Sequence, residues 1–392
     1  MANDTKIKTA KRILFFSLED WNEIWRRNQF ICAELCHRHP DLQILWVSPV
    51  VDISYAIRRG TVDDLKSIRV TPQPVPDYKQ ILSLKPFKLL PNVIGRKFND
   101  RVYATIVRQT IERMGWNESG FITWINDHGA CKALPMPGSR ATIYDITDDW
   151  TKFARSEKER QINVALDAKA LELADHVIVC SQQLFADKNG RCKKLSLIPN
   201  GVDCDRYDPA TLAKLEPPEE LRSLRKPIVG YTGTLHSERL DLNLLDAIAK
   251  QMPDVSFLFV GPIVVPPESI AKLKQRAHLV GPKPYSRLPE YIGTFDACMT
   301  PHLVDEFTES LDPLKLYEYM STGKPIVSTP CAGFRDVEDM ISIASTADDF
   351  CQAIKRELQE PNGERSRRRV EWARQHSWRS RVDEIERVLG WR

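Results

Sequence analysis

The segment ESLDPLKLYEYMSTGKPIVSTP, residues 309–330, carries side chains at spacings suited to ligand binding. Asp312 followed by Pro313 predicts the first turn of a helix, because aspartate accepts hydrogen bonds from free backbone N–H groups and proline needs no donor there. Gly323 is placed to end this helix, since glycine readily takes the left-handed conformation found at helix C-termini. We therefore expect a short helix that starts at Asp312 and ends before the strand PIVST.

On that helix Lys315 and Glu318 are three residues apart and share one face. A helix N-terminus carries partial positive charge, so the first turn and Lys315 can together hold a diphosphate. Glu318, one turn further along, can accept both hydroxyls of a ribose. An ion pair between the two side chains on the surface is the alternative, and these two residues alone do not decide between them.

A second segment, VGYTGTLHSERLDLNLLDAIA at residues 229–249, follows a strand with small residues and then leads into a helix. Gly233 allows the backbone to approach an anion, and the loop N–H groups with Arg239 can hold the same diphosphate from the opposite side. The pattern is neither GxGxxG nor a Walker sequence, so taken alone it is a weak indication.

Apolar β-rich runs alternate with helical stretches along the chain, which predicts two parallel, doubly wound sheets of the Rossmann type. The expected strands are 12–16, 43–48, 121–125, 141–144, 176–180 and 195–198, then 227–231, 255–260, 277–281, 295–300, 325–329 and 341–344. We expect an N-terminal acceptor domain at 1–203, a C-terminal donor domain at 204–370 and a crossover helix at 371–392 that packs on the first domain. Such sheets bind ligands beyond the carboxyl ends of their strands, so two of them are expected to face a common cleft.

The overall composition argues against several classes of protein. Among 392 residues, 56 basic side chains nearly balance 53 acidic ones, which disfavours a general nucleic-acid binder. Nine cysteines without a CxxC pair favour reduced thiols over a disulfide framework, and the polar first residues do not resemble a secretion signal. No apolar stretch reaches the length of a membrane-spanning helix. We expect a cytoplasmic protein.

Several segments together resemble the group 1 type of glycosyltransferases with the GT-B fold, over nearly the whole chain. The most specific are IPNGVD within 195–209 and EYMSTGKPIV within 309–330. The others are ALELADHVIVCSQQL, GYTGTL, residues 283–288 and the closing ARQHSWRSRVDEIERVL. The resemblance implies transfer of a sugar from a UDP- or GDP-sugar to a polysaccharide or lipid-linked acceptor, with retention and without a metal or other cofactor.

The resemblance also implies roles for single positions. Glu318 matches the ribose-binding glutamate, Gly233 the glycine of the diphosphate loop, and Arg239 a basic residue six positions later. Two positions depart from the family pattern. Thr234 stands where many relatives have an arginine against the diphosphate, and Ser310 stands where they have a glutamate that contacts the donor sugar.

Neighbouring residues are candidates to compensate for these departures. Lys315 can supply the charge that Thr234 lacks, and Glu309 or Asp312 is a candidate for the missing carboxylate. In the transition state of sugar transfer the diphosphate gains charge, which Arg239, Lys315 and a helix dipole can stabilise. We expect no metal site, because the acidic candidates considered for one, Asp148-Asp149 and Asp127-His128, lack the DxD form that metal-dependent transferases use.

For the first domain the informative segment is YDITDDWTKF, residues 144–153, directly after a strand. Asp145 and Asp148 are candidates to position or deprotonate an acceptor hydroxyl. Capping of a following helix is the alternative role for Asp148. His128, after the strand FITWI, is either a residue of the cleft or an ordinary loop histidine.

Residues 84–101, LKPFKLLPNVIGRKFNDR, interleave basic and apolar side chains. This composition is typical of a segment that lies at the surface of an anionic membrane, and we expect weak peripheral contact at the inner face. Its prolines and Gly95 argue against one continuous amphipathic helix. A lid or acceptor loop is the competing interpretation.

Two other functions stay open at this point. A nucleotide-sugar epimerase can share the architecture, although the carboxylate and histidine groups that it needs around the sugar are not evident. An inactive nucleotide- or glycan-binding relative is favoured by the departures at Thr234 and Ser310.

Overall fold

The computed structural model describes residues 11–90, 92–152, 156–359 and 363–392, which form two compact units. Of the described residues, the first unit contains those from 11 to 22 and those within Asn28–Pro199 and Val382–Arg392. The second contains Glu23–Arg27 and Asn200–Arg381. The main change of unit at residue 200 lies close to the expected boundary at 203, whereas no sequence pattern predicted that Glu23–Arg27 would join the second unit.

The first unit is built on a sheet of eight described strands in the order β10-β9-β8-β7-β1-β2-β5-β4. These strands are β1 Arg12–Phe16, β2 Gln43–Val47, β4 Arg69–Val75, β5 Tyr78–Lys85, β7 Phe121–Ile125, β8 Ser139–Ile146, β9 His176–Val179 and β10 Leu195–Leu197, with β3 Val51–Asp52 and β6 Phe87–Lys88 as a separate pair. The central strand β7, FITWI, is buried at every residue, as expected of a parallel strand covered on both faces.

Helices cover this sheet and confirm the predicted alternation. They are α1 Arg27–Arg38, α2 Ile53–Arg59, α3 Val62–Lys66, α4 Asn92–Arg113, α5 Trp116–Ser119, α6 Glu157–Leu173 and α7 Gln182–Lys188, with a 3-10 helix at His128–Ala133. No described helix has both the length and the apolar character required to cross a membrane.

The hairpin of β4 and β5 was missed by the sequence pattern. The two strands are antiparallel and turn at Asp77, which has a φ of 67°. Pro72 and Pro74 argue against an inner strand, but β4 lies at the edge of the sheet, where missing N–H donors cost no ladder bonds.

The second unit contains a parallel sheet of six described strands in the order β15-β13-β11-β16-β17-β18. Its strands are β11 Ile228–Thr232, β13 Ser256–Val260, β15 Ala277–Leu279, β16 Ala297–Thr300, β17 Ile326–Ser328 and β18 Ser342–Ile343, with β12 Leu235–His236 and β14 Ile263–Val264 as a separate pair. The winding reverses between β11 and β16, because successive strands are added on one side of β11 and then on the other. Open α/β sheets bind their ligands at such a switch point.

The helices of the second unit pack around this sheet. They are α8 Cys204–Tyr207, α9 Pro209–Leu212, α10 Leu242–Gln251, α11 Pro267–Lys274, α12 Leu288–Gly293, α13 Leu314–Thr322, α14 Ala347–Gln359 and α15 Glu364–Gln375, with 3-10 helices at Glu219–Leu221, Tyr285–Arg287, Thr308–Ser310 and Arg335–Val337. The amphipathic α10 and α14 bury Leu245, Ile248, Phe350 and Ile354 in the core of the unit.

The last helix, α16 Trp378–Val388, returns the chain to the first unit, as expected for its fold class. Arg38 donates to Asp383 Oδ1 at 2.6 Å and to Glu386 Oε2 at 3.0 Å. His39 Nε2 lies 2.8 Å from Glu386 Oε1, and only 4% of the Glu386 side chain is exposed. The chain re-enters the first unit at Val382. The crossover helix was expected to begin at residue 371, but the contacts with the first unit are made by the second half of α16.

Candidate functional site

The loops that follow β11 and β16 form the centre of the site, at the switch point of the second sheet. Gly233 ends β11 with a φ of 129°, a conformation that favours glycine, and a Cβ built on it would lie 3.4 Å from Lys315 Nζ. Gly261 has a φ of 149°, and its Cβ would lie 2.1 Å from the carbonyl oxygen of Gly233. Glycine is therefore needed at 261 for the loops after β11 and β13 to approach each other, and the backbone conformation favours it at 233.

We call helix Leu314–Thr322, α13, the site helix. Its N-cap residue is Pro313, with φ −70° and ψ 118°, and no side chain caps its first turn. The prediction that Asp312 caps a helix with Pro313 in its first turn is therefore wrong, because the helix begins one residue after the proline. Its end is confirmed: Gly323 takes the left-handed conformation, with a φ of 66°.

Asp312 instead anchors the start of the site helix to a distant loop. Its Oδ2 accepts from the backbone N–H of Asn200 at 2.5 Å, and the Asn200 side-chain amide donates to the Asp312 carbonyl at 2.5 Å. Its Oδ1 accepts from the hydroxyl of Tyr317 at 2.7 Å. Both carboxylate oxygens thus have internal donors, which corrects the expectation that Asp312 binds the donor or replaces the missing carboxylate. Burial raises the pKa of Asp312, and these hydrogen bonds oppose that shift.

Lys315 projects from the first turn of the site helix, next to Gly233. Its Nζ lies over the ring of Tyr231, 5.0 Å from the centroid, in a cation–π contact. Burial lowers the pKa of Lys315 to about 8, and the nearby charge of Arg239 acts in the same direction. The side chain is therefore a half-buried cation whose charge is disfavoured by burial and by Arg239 and favoured by Glu318.

Glu318 lies one turn further along the same helix. Its Oε1 accepts a hydrogen bond from the Tyr207 hydroxyl at 3.4 Å. Burial raises the pKa of Glu318 to about 7, although Lys315 and Tyr207 both favour the charged form. Among the ion pairs of the described residues, none within 4.0 Å joins Lys315 to Glu318, so the alternative of a surface ion pair is not what this structure contains.

Arg239 belongs to the same group of charges. Its guanidinium lies over the ring of Phe307, 5.4 Å from the centroid, and its charge reaches both Lys315 and His302. The structure therefore brings Arg239, Lys315 and Glu318 into one electrostatic neighbourhood, at the end of the sheet where the sequence analysis expected them.

His302 is a member of this neighbourhood that the sequence analysis missed. It is 3% exposed, and its Nε2 lies 3.3 Å from the hydroxyl of Tyr231. Burial lowers the pKa of His302 well below its usual value, with further contributions from Lys315 and Arg239. Its position two residues after β16 was the available signal, since this strand borders the switch point.

The structure also places the two departures from the family pattern. Ser310 is fully buried, and its hydroxyl donates to the Phe307 carbonyl at 2.7 Å. Glu309 forms a two-pronged ion pair with Arg335, which donates from Nη1 at 2.9 Å. Glu309 is therefore committed elsewhere and is not a substitute for the missing carboxylate. Thr234 is half-buried, and its carbonyl accepts from Tyr231 at 3.4 Å.

The two acidic candidates of the first unit, Asp145 and Asp148, differ in how far they are exposed to solvent. Asp145 has no exposed surface, and its carbonyl accepts from the Asn126 amide at 3.1 Å. Asp148 is half-buried and accepts from the Thr147 hydroxyl at 3.3 Å. An Asp145 carboxylate without exposed surface does not meet an acceptor hydroxyl in this conformation, so the general-base hypothesis is better placed on Asp148.

Helix capping was the alternative role for Asp148, and in the described residues the local turn and the next helix are held by other side chains. Asp149 makes the local turn instead, because its Oδ1 accepts from the Thr151 N–H at 3.1 Å and from the Thr151 hydroxyl at 2.5 Å. The next described helix begins at Glu157 and is capped by Ser156. His128 is 8% exposed and starts a 3-10 helix, which favours the ordinary loop role for this residue.

We expect Asp312→Ala to lower the free energy of unfolding by about 2 kcal/mol, because the Asn200 N–H and the Tyr317 hydroxyl both lose a charged acceptor. Urea unfolding followed by tryptophan fluorescence measures the change. Asp312→Asn should recover part of the loss, since an amide oxygen still accepts. Asp254→Ala, at a carboxylate that is 91% exposed, is the control and should change stability by less than about 0.5 kcal/mol. A stable Asp312→Ala protein would show that this anchor is dispensable.

Comparisons with known proteins show which family and fold the chain resembles. A family model described as glycosyl transferases group 1 matches residues 226–360. TuaH of Bacillus subtilis (strain 168), assigned as a glycosyltransferase of teichuronic acid biosynthesis, is 26% identical over 201 residues. That match spans 48% of this chain and 50% of TuaH, so it covers about half the length of that relative.

Solved structures resemble the chain over nearly its whole length. Sucrose-phosphate synthase of Thermosynechococcus elongatus matches with a TM-score of 0.71 and 17% identity, over 96% of this chain and 98% of that one. HepE of Anabaena in complex with UDP-glucose matches with a TM-score of 0.69 and 16% identity, over 96% and 99%. At these identities the likeness establishes the fold alone, and it is the GT-B fold. The chain therefore has the GT-B fold, and within it residues 226–360 match the group 1 glycosyltransferase family.

Proposed function

We propose that the protein transfers a sugar from a nucleotide diphosphate sugar to a glycan or lipid-linked acceptor. The observation that carries this proposal is the convergence of Lys315, Arg239 and Glu318 at the switch point of the second sheet. Two cations beside a carboxylate at helical spacing match the charge pattern of a diphosphate joined to a ribose. Neighbours in complex with UDP-glucose support a UDP-sugar as donor, and GDP is the alternative nucleotide.

In this mechanism the protein acts mainly on the leaving group. As the bond between the sugar and the diphosphate breaks, negative charge grows on the diphosphate. Lys315, Arg239 and the N-terminal amides of the site helix stabilise that charge, so we propose that no metal is needed. Glu318 holds the ribose and thereby fixes the position of the diphosphate. Asp148 is the proposed group that positions or deprotonates the acceptor, and the transfer proceeds with retention.

A second candidate is a nucleotide-binding protein of the same fold that does not transfer sugar. It is favoured by the burial of Ser310 and by the ion pair of Glu309 with Arg335, since neither side chain is then available to the donor sugar. Release of free UDP from UDP-glucose in the presence of acceptor extracts separates the two candidates. Binding without release would support the second.

Glu318→Ala is expected to weaken UDP binding about 10- to 100-fold, because a charged acceptor of the ribose hydroxyls is removed. Titration calorimetry with UDP, GDP and ADP measures the effect and also identifies the preferred base. Glu309→Gln is the matched control on the preceding loop and should bind as the wild-type protein does. Normal nucleotide affinity in Glu318→Ala would remove this residue from the site and refute the proposed pocket.

Nucleotide affinity should also depend on pH in a predictable way. Glu318 must be ionised to accept both hydroxyls, so affinity should fall as the pH drops through about 7. Lys315 must be protonated to hold the diphosphate, so affinity should fall as the pH rises through about 8. We therefore expect the tightest binding between these values, in calorimetry from pH 6 to 9.

Two conservative variants show which side chain causes the fall in nucleotide affinity on the acid side and on the alkaline side of the pH profile. Lys315→Arg should flatten the alkaline limb, because a guanidinium stays charged over this range. Glu318→Gln should flatten the acid limb, because an amide does not titrate there. A profile with the same limbs in both variants would exclude these two groups as its cause.

We also propose that the first unit makes peripheral contact with an anionic membrane surface. The turn between β6 and α4 presents Leu89 and Leu90, which are 43% and 38% exposed, and Phe98 on α4 is 48% exposed. Arg96, Lys97 and Arg101 are exposed on the same helix, which pairs apolar anchors with positive charge. Pro91 lies outside the described residues, as do the side chains of residues 92–94.

The backbone at this turn is firmly held. The side-chain oxygen of Asn99 accepts from the N–H groups of Leu89 and Leu90, each at 3.2 Å, and its amide donates to the Leu90 carbonyl at 2.7 Å. Helix α4 continues through Gly95, where a Cβ would lie 2.2 Å from the Cβ of Leu90. Glycine is therefore compatible with this helix because it lets the turn pack against it, contrary to the expectation that Gly95 would interrupt it.

The neighbouring helix α2 also combines exposed apolar side chains with basic ones. Strand β3 pairs with β6 and leads into α2, where Tyr55 and Ile57 are 46% and 64% exposed. Arg58 and Arg59 follow them on the exposed end of that helix. This second set of apolar and basic side chains lies outside 84–101 and supports a membrane surface over a lid confined to that loop.

Replacing both Leu89 and Leu90 by serine should reduce binding to phosphatidylglycerol vesicles roughly tenfold, because two exposed apolar anchors are lost. Co-sedimentation with vesicles measures the bound fraction. Val264→Ser, at an apolar residue of the second unit that is 54% exposed, is the control and should bind normally. Equal binding to phosphatidylcholine vesicles, or no loss in the leucine variant, would contradict this proposal.

A further inference from the structure

The segment Glu23–Arg27 comes from the first half of the chain but packs within the second unit. The carbonyl of Glu23 accepts from the backbone N–H of Tyr285 at 2.8 Å. At its other end, Arg27 donates from Nη1 to the Asn200 side-chain oxygen at 3.3 Å. The segment is thus fixed at both ends, and its central aromatic residue, Trp25, has a defined position.

Trp25 begins a row of aromatic contacts that ends at the site helix. Its indole stacks on the ring of Tyr285, with centroids 5.5 Å apart and planes at 13°. Tyr285 meets Tyr207 edge to face at 6.3 Å and 65°. The Tyr207 hydroxyl then donates to Glu318 Oε1 at 3.4 Å. Each step of the row is a direct contact, so Trp25 is linked to Glu318 through two tyrosines.

Packing is what fixes these two tyrosines. Tyr285 is 6% exposed, and the guanidinium of Arg206 also lies over its ring, 4.6 Å from the centroid. Tyr207 is fully buried, yet it stands at the end of a helix of only four residues. A helix that short does not hold a side chain by itself, so the ring of Tyr207 depends on Tyr285, and Tyr285 depends on Trp25 and Arg206.

We propose that Trp25 is a positioning residue for nucleotide binding, which acts through Tyr285 and Tyr207 to hold Glu318 where it accepts the ribose hydroxyls. This inference rests on the proposed function, because it concerns the same carboxylate. It adds a residue from the N-terminal part of the chain to the recognition of the nucleoside. The long 3.4 Å hydrogen bond between Tyr207 and Glu318 is the sensitive link, since a small rotation of Tyr207 breaks it.

The test measures discrimination of the ribose, which general destabilisation does not alter. Calorimetry gives the Kd of the full-length protein for UDP and for 2′,3′-dideoxy-UDP, with GDP and its dideoxy analogue as the second pair, and for inorganic pyrophosphate. The ratio of dideoxy to natural Kd reports the contacts to the two ribose hydroxyls, which the proposed function assigns to Glu318. Trp25→Ala should reduce that ratio about 3- to 10-fold, the value of one aromatic contact, and leave pyrophosphate binding unchanged.

Two further variants make the result specific. Trp25→Phe keeps an aromatic face and should restore most of the ratio. Trp21→Ala removes another indole of the same loop, which packs on Trp46 in the first unit, and should keep the ratio even if the protein becomes less stable.

The outcomes separate this inference from the function on which it rests. A full wild-type ratio in Trp25→Ala, with a reduced ratio in Glu318→Ala, overturns the role of Trp25 and leaves the proposed function standing. Equal losses in Trp25→Ala and Trp21→Ala also overturn it, because the loss of ribose discrimination is then not specific to the row of aromatic contacts that Trp25 begins. Wild-type protein that binds neither UDP nor GDP overturns both.

Discussion

The candidate site depends on keeping two cations, Lys315 and Arg239, close together in a half-buried position. Burial and mutual repulsion both disfavour the charge of Lys315 and lower its pKa to about 8. The folded chain offsets this cost with the ring of Tyr231 under the ammonium and with Glu318 one turn away. An anion placed between the cations would offset both the cost of burying their charges and their mutual repulsion. This is the physical reason for proposing a diphosphate at the site over a neutral ligand.

Such an arrangement needs a rigid support, and the second unit supplies it with long-range contacts. Asp312 and Asn200 are 112 residues apart in the chain and exchange two short hydrogen bonds at the start of the site helix. Gly233 and Gly261 let two loops meet without side chains between them. The segment IPNGVD is thus informative because its asparagine bonds to Asp312, two residues before the site helix. The geometry of the loops at the switch point therefore depends on contacts between residues that are far apart in the sequence.

Sequence patterns were reliable where the deciding interaction is local. The alternation of apolar strands and helices predicted most strands of both sheets, and the spacing of Lys315 and Glu318 correctly put them on one helix. They failed where two partners compete for one side chain. Asp312 before Pro313 has the form of a helix cap, but Asn200 and Tyr317 bind its carboxylate instead. Pro72 and Pro74 disfavour a strand, yet an edge position tolerates them.

The sequence by itself determined the type of most elements, the face of the site helix and the residues with the right chemistry, because hydrophobic periodicity and capping act over a few residues. Only the tertiary structure decided the ionisation of Lys315 and Glu318 and the membership of His302, Tyr207 and Trp25 in the same neighbourhood. Burial and aromatic packing depend on chain segments that are up to hundreds of residues apart. Local sequence patterns do not predict contacts between such distant segments, so these contacts are known only from the tertiary structure.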